Sequence, residues 1–222
     1  LQFLNNNLIY RKDLIDGVNL EILSKFDYHG INDKYVDYTK ITWRGKKFDE
    51  LELENNLNTE KRADYIFNNW QSLKQSRTLA FCSSIKHSDF MAAYFNSKGI
   101  KSLSMHSKSD VSRTDSIEKL RNKEIEVLFS VDLFNEGVDI PAVDTILMIR
   151  PTESKIIFLQ QFGRGLRKAE GKEKVVVIDF IGNHKSFLEK PSALFGFDFN
   201  YNNIREFIRD YNQNKLETPK GS

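Results

Sequence analysis

The segment Gln160–Arg167 (QQFGRGLR) combines residue types that suit the binding of a phosphate group. Arg164 and Arg167 are three positions apart, so on a helix they would share a face. Guanidinium groups match phosphate oxygens, and an arginine that reaches a γ-phosphate stabilises the charge that develops during its transfer. Gly163 and Gly165 are poor helix formers and predict a close approach of the backbone to another group. A solvated basic helix is the alternative, and the glycine-flanked spacing favours the phosphate site.

Two further loops follow apolar runs of strand length and carry residues that could hold a nucleotide or a phosphate. In the loop 131–141, Gly137 permits a positive φ, and Asp139 is placed to accept hydrogen bonds from a ribose or an arginine. Taken alone, that loop is better interpreted as a capped turn before a strand. Ser83 and Ser84 follow another such run, where either could cap the next helix and bring its amide end to a phosphate. Capping alone is the simpler interpretation.

Several other kinds of site are excluded by spacing. The stretch 165–172 resembles a phosphate-binding P-loop, but five residues separate its glycines, Glu173 stands where serine or threonine is needed, and it precedes a strand. The four histidines lack metal-ligand spacing. Cys82 is predicted to be a buried small side chain rather than a nucleophile. The chain therefore lacks the parts that hold a triphosphate and Mg²⁺.

Composition is typical of a globular protein whose basic surface is local. The 222 residues are 40% hydrophobic and 29% charged, with a net charge of only +2. A dedicated nucleic-acid-binding module carries a larger positive excess, so any such surface must be small or shared with another domain. No run of 18 apolar residues exists, and a single cysteine predicts a reducing, cytoplasmic location.

The order of apolar segments predicts the fold that positions these loops. A helix is expected after Thr59, and strands alternate with helices from there to Phe180. The predicted strands are 78–82, 100–105, 125–130, 143–149 and 174–180, and the predicted helices between them are 86–98, 110–122 and 154–166. This alternation indicates an α/β fold with a mostly parallel sheet and helices on both faces. Residues 1–57 are expected to be a connector or the remnant of a preceding domain, residues 58–190 the main domain, and residues 191–222 a C-terminal appendage with a helix over 203–214.

Taken together, the three loops resemble conserved motifs of superfamily-two DEAD/DEAH-box helicases. Gln160-x-x-Gly163-Arg164-x-x-Arg167 resembles their motif VI, 136–139 (EGVD) their motif V, and 81–84 (FCSS) their motif IV. Order and spacing match the second RecA-like domain of that superfamily. The sequences LFNEGVDIP, FLQQFGRGLRKAEGK and VIDFIGNHKSF are similar to those of bacterial helicases related to restriction-enzyme subunits.

The resemblance implies a role for each residue in an ATP-driven motor. Arg167 would be the arginine finger with Arg164 beside it, and both would be catalytic. Nucleotide positioning would fall to Gln160, Gly163, Gly137 and Asp139. The nucleic-acid backbone would be met by Ser83, Ser84, Arg113 and Val131. Val131 stands where motif V often carries a threonine, so a backbone amide would have to replace that side-chain contact.

The resemblance also implies partners that this chain does not contain. ATP and Mg²⁺ would be held mainly by a first RecA-like domain, and in some relatives a nuclease domain is attached. DNA is favoured over RNA as the nucleic acid, and the fragment alone is expected to be inactive. Two rival hypotheses remain: a non-catalytic RecA-like module that binds nucleic acid or protein, and a stand-alone enzyme in which Asp132 or Asp179 faces the arginines.

Overall fold

The computed structural model describes residues 20, 22–45, 47–131, 142–151, 163, 165–182, 206 and 209. The strands in this part of the chain are β1 (Lys25–Asn32), β2 (Trp43–Arg44), β3 (Lys47–Phe48), β4 (Thr78–Phe81), β5 (Ser102–Met105), β6 (Val127–Ser130), β7 (Thr145–Met148) and β8 (Lys174–Ile181). The α-helices are α1 (Glu50–Leu57), α2 (Glu60–Leu73), α3 (Ile85–Ser97) and α4 (Arg113–Arg121), and a short 3₁₀ turn covers Tyr38–Lys40.

Six of these strands form one sheet in the order β1-β8-β7-β4-β6-β5, and every neighbouring pair is parallel. The register places Phe81, the last residue of β4, opposite Ser130 of β6 and Met148 of β7. Ser130 in turn lies opposite Met105, the last residue of β5. The carboxyl ends of these four strands therefore stop in one row, and the loops that follow them emerge side by side.

Both faces of the sheet are covered. Leu79 and Phe81 of β4 belong to a core cluster with Ile117 and Leu120 of α4, whereas Ala80 belongs to a second cluster built around α2 and α3. The strands β6, β7 and β8 divide their side chains between the two clusters in the same alternating way. Burial on both sides explains why the strand sequences are continuously apolar. The α/β class with a mostly parallel sheet and helices on both faces is confirmed.

The segment between Leu23 and Leu57 contributes more to the fold than the sequence predicted. β1 pairs along its whole length with β8 and forms an edge of the main sheet. The residues after it pack into a separate small cluster, which is formed by Val36, Tyr38, Ile41, Phe48, Leu53 and Leu57. Pairing with β8 extends the backbone from Lys25 onwards.

The element types predicted from Thr59 to Phe180 agree with the described residues. Thr59 is the N-cap of α2, although its side chain makes no capping hydrogen bond. Gly99 closes α3 with a φ of 84°, a conformation that favours glycine. Gly45 follows β2 with a φ of 66°, between the antiparallel strands β2 and β3. Of the predicted helix over 203–214, only Glu206 and Arg209 are described, and both are helical.

No helix in the described part of the chain has both the length and the apolar character needed to cross a membrane. A group of three or more histidine, cysteine, aspartate or glutamate side chains that could hold a metal ion is likewise absent from the described residues.

Candidate functional site

The carboxyl edge of the sheet brings together the residues that the sequence assigned to nucleic acid. Ser83 and Ser84 follow β4 and lead into α3, and Arg113 is the first residue of α4, which follows β5. Val131 directly follows β6. Because these strands are parallel and end in one row, all four residues lie beyond the same edge.

Ser84 is the N-cap of α3, as the simpler interpretation predicted. Its hydroxyl oxygen accepts a hydrogen bond from the amide of His87 at 3.1 Å. The same hydroxyl donates to the carboxylate of Glu54 in α1 at 2.9 Å, and Lys86 donates to the other oxygen of that carboxylate at 2.9 Å. A carboxylate therefore occupies the amino end of α3, where the helix dipole favours an anion.

Ser83 is held by the imidazole of His87, one turn into α3. The hydroxyl oxygen of Ser83 lies 3.1 Å from Nδ1 of His87, and its amide nitrogen lies 3.3 Å from the same atom. On the other side of the ring, Nη1 of Arg62 lies 3.3 Å from Nε2. The amide of Ser83 donates to Nδ1, and the guanidinium of Arg62, which can only donate, faces Nε2, so His87 is held by donors at both ring nitrogens.

Arg62 connects that ring to the ends of the neighbouring strands. Its side chain and that of Asp33 are both fully buried, and Nη2 lies 2.9 Å from a carboxylate oxygen of Asp33. Nη2 also donates to the carbonyl of Ile149, beyond β7, at 2.8 Å. The hydroxyl of Tyr38 donates to Asp33 at 3.0 Å. Removing one partner of such a buried pair costs about 3–5 kcal/mol because the other charge is left uncompensated.

Burial sets the protonation of the two titratable groups beside this network. It lowers the pKa of His87 well below its ordinary value, and the charges of Arg62 and Arg150 lower it further, so the ring is neutral. Burial also raises the pKa of the Cys82 thiol to about 12. Cys82 is fully buried, and a protonated thiol is a poor nucleophile, so the structural interpretation of this cysteine is confirmed.

Val131 uses its main chain and side chain within the fold. Its amide donates to the carbonyl of Met105 at 3.3 Å, and its side chain packs against the core cluster of α2 and α3. The amide of Val131 is therefore already bonded within the fold and does not replace the phosphate contact of the missing motif V threonine. Arg113 begins α4, whose N-cap Ser112 accepts from the amide of Asp115 at 3.1 Å.

Residues 165–167 lie at the amino ends of the strands, opposite to Ser83. The carbonyl of Leu166 accepts from the amide of Ser24 at 2.7 Å, and Leu23 forms an antiparallel bridge with Arg167. Ser24 immediately precedes β1, so these contacts are at the amino end of the strands. A Cβ on Gly165 would come within 2.5 Å of Ile146 and 3.2 Å of Val175, both near the starts of their strands.

These contacts correct one expectation and confirm another. Arg167 follows the helix in a bridged conformation, so the expected position of Arg167 on a helical face is wrong. Gly165 does approach the sheet closely, whereas Gly163 meets no heavy atom within 4 Å among the described residues. Gln160, Arg164, Gly137, Asp139 and Asp132 lie outside the described residues.

Lys172 and Asp179, which belong to the alternative sites considered in the sequence, have structural roles. Lys172 of the P-loop-like stretch donates to the carbonyls of Gly165 at 2.8 Å and Val143 at 3.2 Å, which fastens the turn before β8. Asp179 is fully buried and accepts from the Tyr28 hydroxyl at 2.5 Å. It lies near the end of β8, away from the start of β1 where Arg167 is bridged.

Sequence reasoning missed Asp33, Arg62 and His87 as parts of the site. Arg62 lies 29 positions after Asp33 and 25 positions before His87 along the chain. No local pattern could join them. The sequence did contain one sign that Arg62 is buried. It is spaced with the apolar residues Ile66 and Trp70, which lie with it on the buried face of α2.

The fold and the motifs together define the class: a RecA-like motor domain with one candidate surface at each edge of its sheet. The family model described as the helicase conserved C-terminal domain matches residues 58–169. The chain belongs to this family and is the second RecA-like domain of a superfamily-two helicase.

Relatives and solved structures agree with that assignment. The chain is 33% identical over 178 residues to irc3 of Schizosaccharomyces pombe, named as a mitochondrial ATP-dependent helicase, covering 79% of this chain and 29% of that protein. It is 27% identical over 187 residues to IRC3 of Saccharomyces cerevisiae, covering 82% and 27%. The restriction-modification enzyme LlaBIII bound to DNA shares the fold with a TM-score of 0.60 and 18% identity, covering 96% of this chain and 16% of that one. The chain thus spans under a third of the length of these yeast relatives.

Proposed function

We propose that this chain is the second motor domain of an ATP-dependent DNA helicase or translocase. It supplies Arg164 and Arg167 to a nucleotide site that a first, P-loop-bearing RecA-like domain completes. Membership of the helicase C-terminal family is the observation that carries this proposal. The resemblance to restriction-enzyme subunits extends this proposal to an attached nuclease domain and a cytoplasmic location. The sequence of the reading frame that encloses the chain tests whether a nuclease domain is attached.

The anchoring of Arg167 supports its role as the arginine finger. The residue is exposed, while its carbonyl accepts a hydrogen bond from the Ser24 hydroxyl at 3.3 Å and its backbone is bridged to Leu23. A fixed main chain under an exposed guanidinium suits a group that must meet a phosphate at one position. Gln160, Gly163, Gly137 and Asp139 complete the proposed nucleotide contacts. ATP supplies the transferred phosphoryl group and Mg²⁺ its counter-charge, and both are held mainly by the first domain.

Replacing Arg167 in the full-length protein tests this assignment. Arg167→Ala should lower the rate of ATP hydrolysis at saturating nucleic acid by roughly 10³–10⁵-fold, the value of an arginine finger. Lys168→Ala, which removes the neighbouring exposed cation, is the matched control and should retain the wild-type rate. Unchanged hydrolysis by Arg167→Ala would remove the residue from the mechanism. The purified 222-residue chain should not hydrolyse ATP at all.

The carboxyl edge is proposed as the surface that grips one nucleic-acid strand through its backbone. Ser83, Ser84 and Arg113 are the proposed contacts, with Val131 at the end of the neighbouring strand. Ser84 is already bound to Glu54, so a phosphate at the amino end of α3 has to displace that carboxylate. Contacts of this kind carry little sequence information, which suits a motor that moves along any sequence.

Salt dependence and charge removal test the strand surface. Arg113→Ala in the full-length protein should weaken binding to a labelled oligothymidylate and reduce the slope of log K against log salt by about 1. Arg121→Ala, at the far end of the same helix and paired with Glu118, is the control. Glu54→Gln should tighten binding because the competing charge is gone. An Arg113→Ala protein with the wild-type slope would contradict the proposed surface, and tighter binding to oligouridylate would replace DNA by RNA.

A further inference from the structure

The buried polar chain that runs from Asp33 through Arg62 and His87 to Ser83 is not used by the proposed motor chemistry. We propose that Arg62 and His87 are positioning residues that hold Ser83 at the place where its hydroxyl meets a strand phosphate. This inference rests on the proposed strand grip at the carboxyl edge and names what orients it.

Ser83 is held at two of its atoms by one ring nitrogen. Its amide donates to Nδ1 of His87 across 3.3 Å, and its hydroxyl oxygen lies 3.1 Å from the same nitrogen. On the other side of the ring, Nη1 of Arg62 lies 3.3 Å from Nε2, so the guanidinium fixes the ring that fixes Ser83. Ser83 is partly exposed beyond β4, and a serine hydroxyl can donate to a phosphate oxygen.

The position of Arg62 is fixed from several strands at once. Asp33 follows β1 and its amide donates to Ile181 of β8 at 2.9 Å, while Ile149 follows β7. The guanidinium contacts both Asp33 and Ile149, so it is tied to the ends of β1, β8 and β7. His87 then carries that position to the end of β4. A fully buried ion pair adds little stability compared with apolar side chains of similar volume, whereas it fixes geometry well.

β1 also connects the residues at the amino ends of the strands with those at the carboxyl ends. At its start, Ser24 holds the main chain of Leu166 and Arg167, and at its end Asp33 holds Arg62. Asp33 and Tyr38 both lie outside the segment 58–169 that matches the helicase family model. Arg62, which lies inside the matched segment, is therefore held by two residues that lie outside it.

Substitution of His87 in the full-length protein tests the positioning role, with fluorescence anisotropy of a labelled oligothymidylate as the readout. His87→Leu should weaken binding about tenfold, the loss expected for one hydrogen bond to a charged group, and Ser83→Ala should do the same. His87→Asn offers an amide oxygen that can accept from the Ser83 amide in place of Nδ1 and should retain most of the affinity.

Non-additivity separates positioning from a general loss of structure. If His87 acts through Ser83, the double variant His87→Leu/Ser83→Ala should bind no more weakly than either single variant. The charge-free pair Arg62→Met/Asp33→Asn avoids an uncompensated buried charge and should show the same non-additivity with Ser83→Ala. Asp64→Asn, on the exposed side of α2, is the control.

The outcomes distinguish this inference from the proposed function. Additive effects, or a His87→Asn protein as weak as His87→Leu, would overturn the positioning role while leaving the strand surface intact. Wild-type binding by both Ser83→Ala and Arg113→Ala would instead remove the strand surface itself, and the positioning role with it.

Discussion

Gly165 lies against the sheet so closely that an added methyl group has no space. A Cβ there would stand 2.5 Å from Cδ1 and 2.9 Å from Cγ1 of Ile146, and 3.2 Å from Cγ1 of Val175. Cδ1 of isoleucine can often swing aside, but Ile146 is fully buried within the core. Gly165→Ala should therefore destabilise the chain by overpacking, at a cost of about 1–3 kcal/mol.

Gly163 provides a control in the same local structure. Both glycines are helical, and both gain up to about 1 kcal/mol of helix propensity on substitution by alanine. A Cβ on Gly163 meets no described atom within 4 Å. The difference in unfolding free energy between Gly163→Ala and Gly165→Ala should therefore equal the overpacking cost alone, about 1–3 kcal/mol.

Urea unfolding of the two variants, followed by circular dichroism, measures this difference. Ile146→Val removes Cδ1 and alone should cost about 0.5–1.5 kcal/mol, but combined with Gly165→Ala it should cost less than the sum of the two. Equal stability of Gly163→Ala and Gly165→Ala, or strict additivity with Ile146→Val, would refute the close approach of this segment to β7.

Three further stability predictions concern buried polar groups and a second tight contact. The pKa of His87 is lowered in the folded chain, so its contribution is intact above the unfolded pKa of 6.5 and is lost as pH falls below it. The unfolding free energy should then fall by up to about 1.4 kcal/mol per pH unit below pH 6.5, and His87→Asn should flatten this decline in urea titrations; an unchanged profile would contradict it. A Cβ on Gly182 would lie 2.0 Å from the buried ring of Tyr38, so Gly182→Ala should cost about 1–3 kcal/mol, and a melting temperature equal to wild type would disprove the contact. Tyr28→Phe takes one donor from the buried carboxylate of Asp179 and should cost about 1–3 kcal/mol by urea unfolding, with no loss expected only if water replaces the hydroxyl.

Local patterns carried much of the fold from Thr59 onwards. Continuous apolar runs such as that around β8 predict strands covered on both faces, and Gly99 marks the end of α3, because both features reflect the backbone of a few neighbouring residues. β1 was not predicted, since its exposed and buried residues show no clean period. It is a strand because β8 offers it a full set of main-chain partners, which are nearly 150 residues away in sequence.

The candidate site divides in the same way. The sequence by itself determined the residue types: two arginines near two glycines after a strand, and two serines after another, in the order typical of a superfamily-two motor. Their arrangement was decided only by the tertiary structure. Arg167 is bridged to Leu23 at the amino edge, whereas Ser83 is held at the carboxyl edge by a buried chain that begins at Asp33. Hydrogen bonds between residues far apart in sequence form only once the sheet has assembled, so no local pattern contains them.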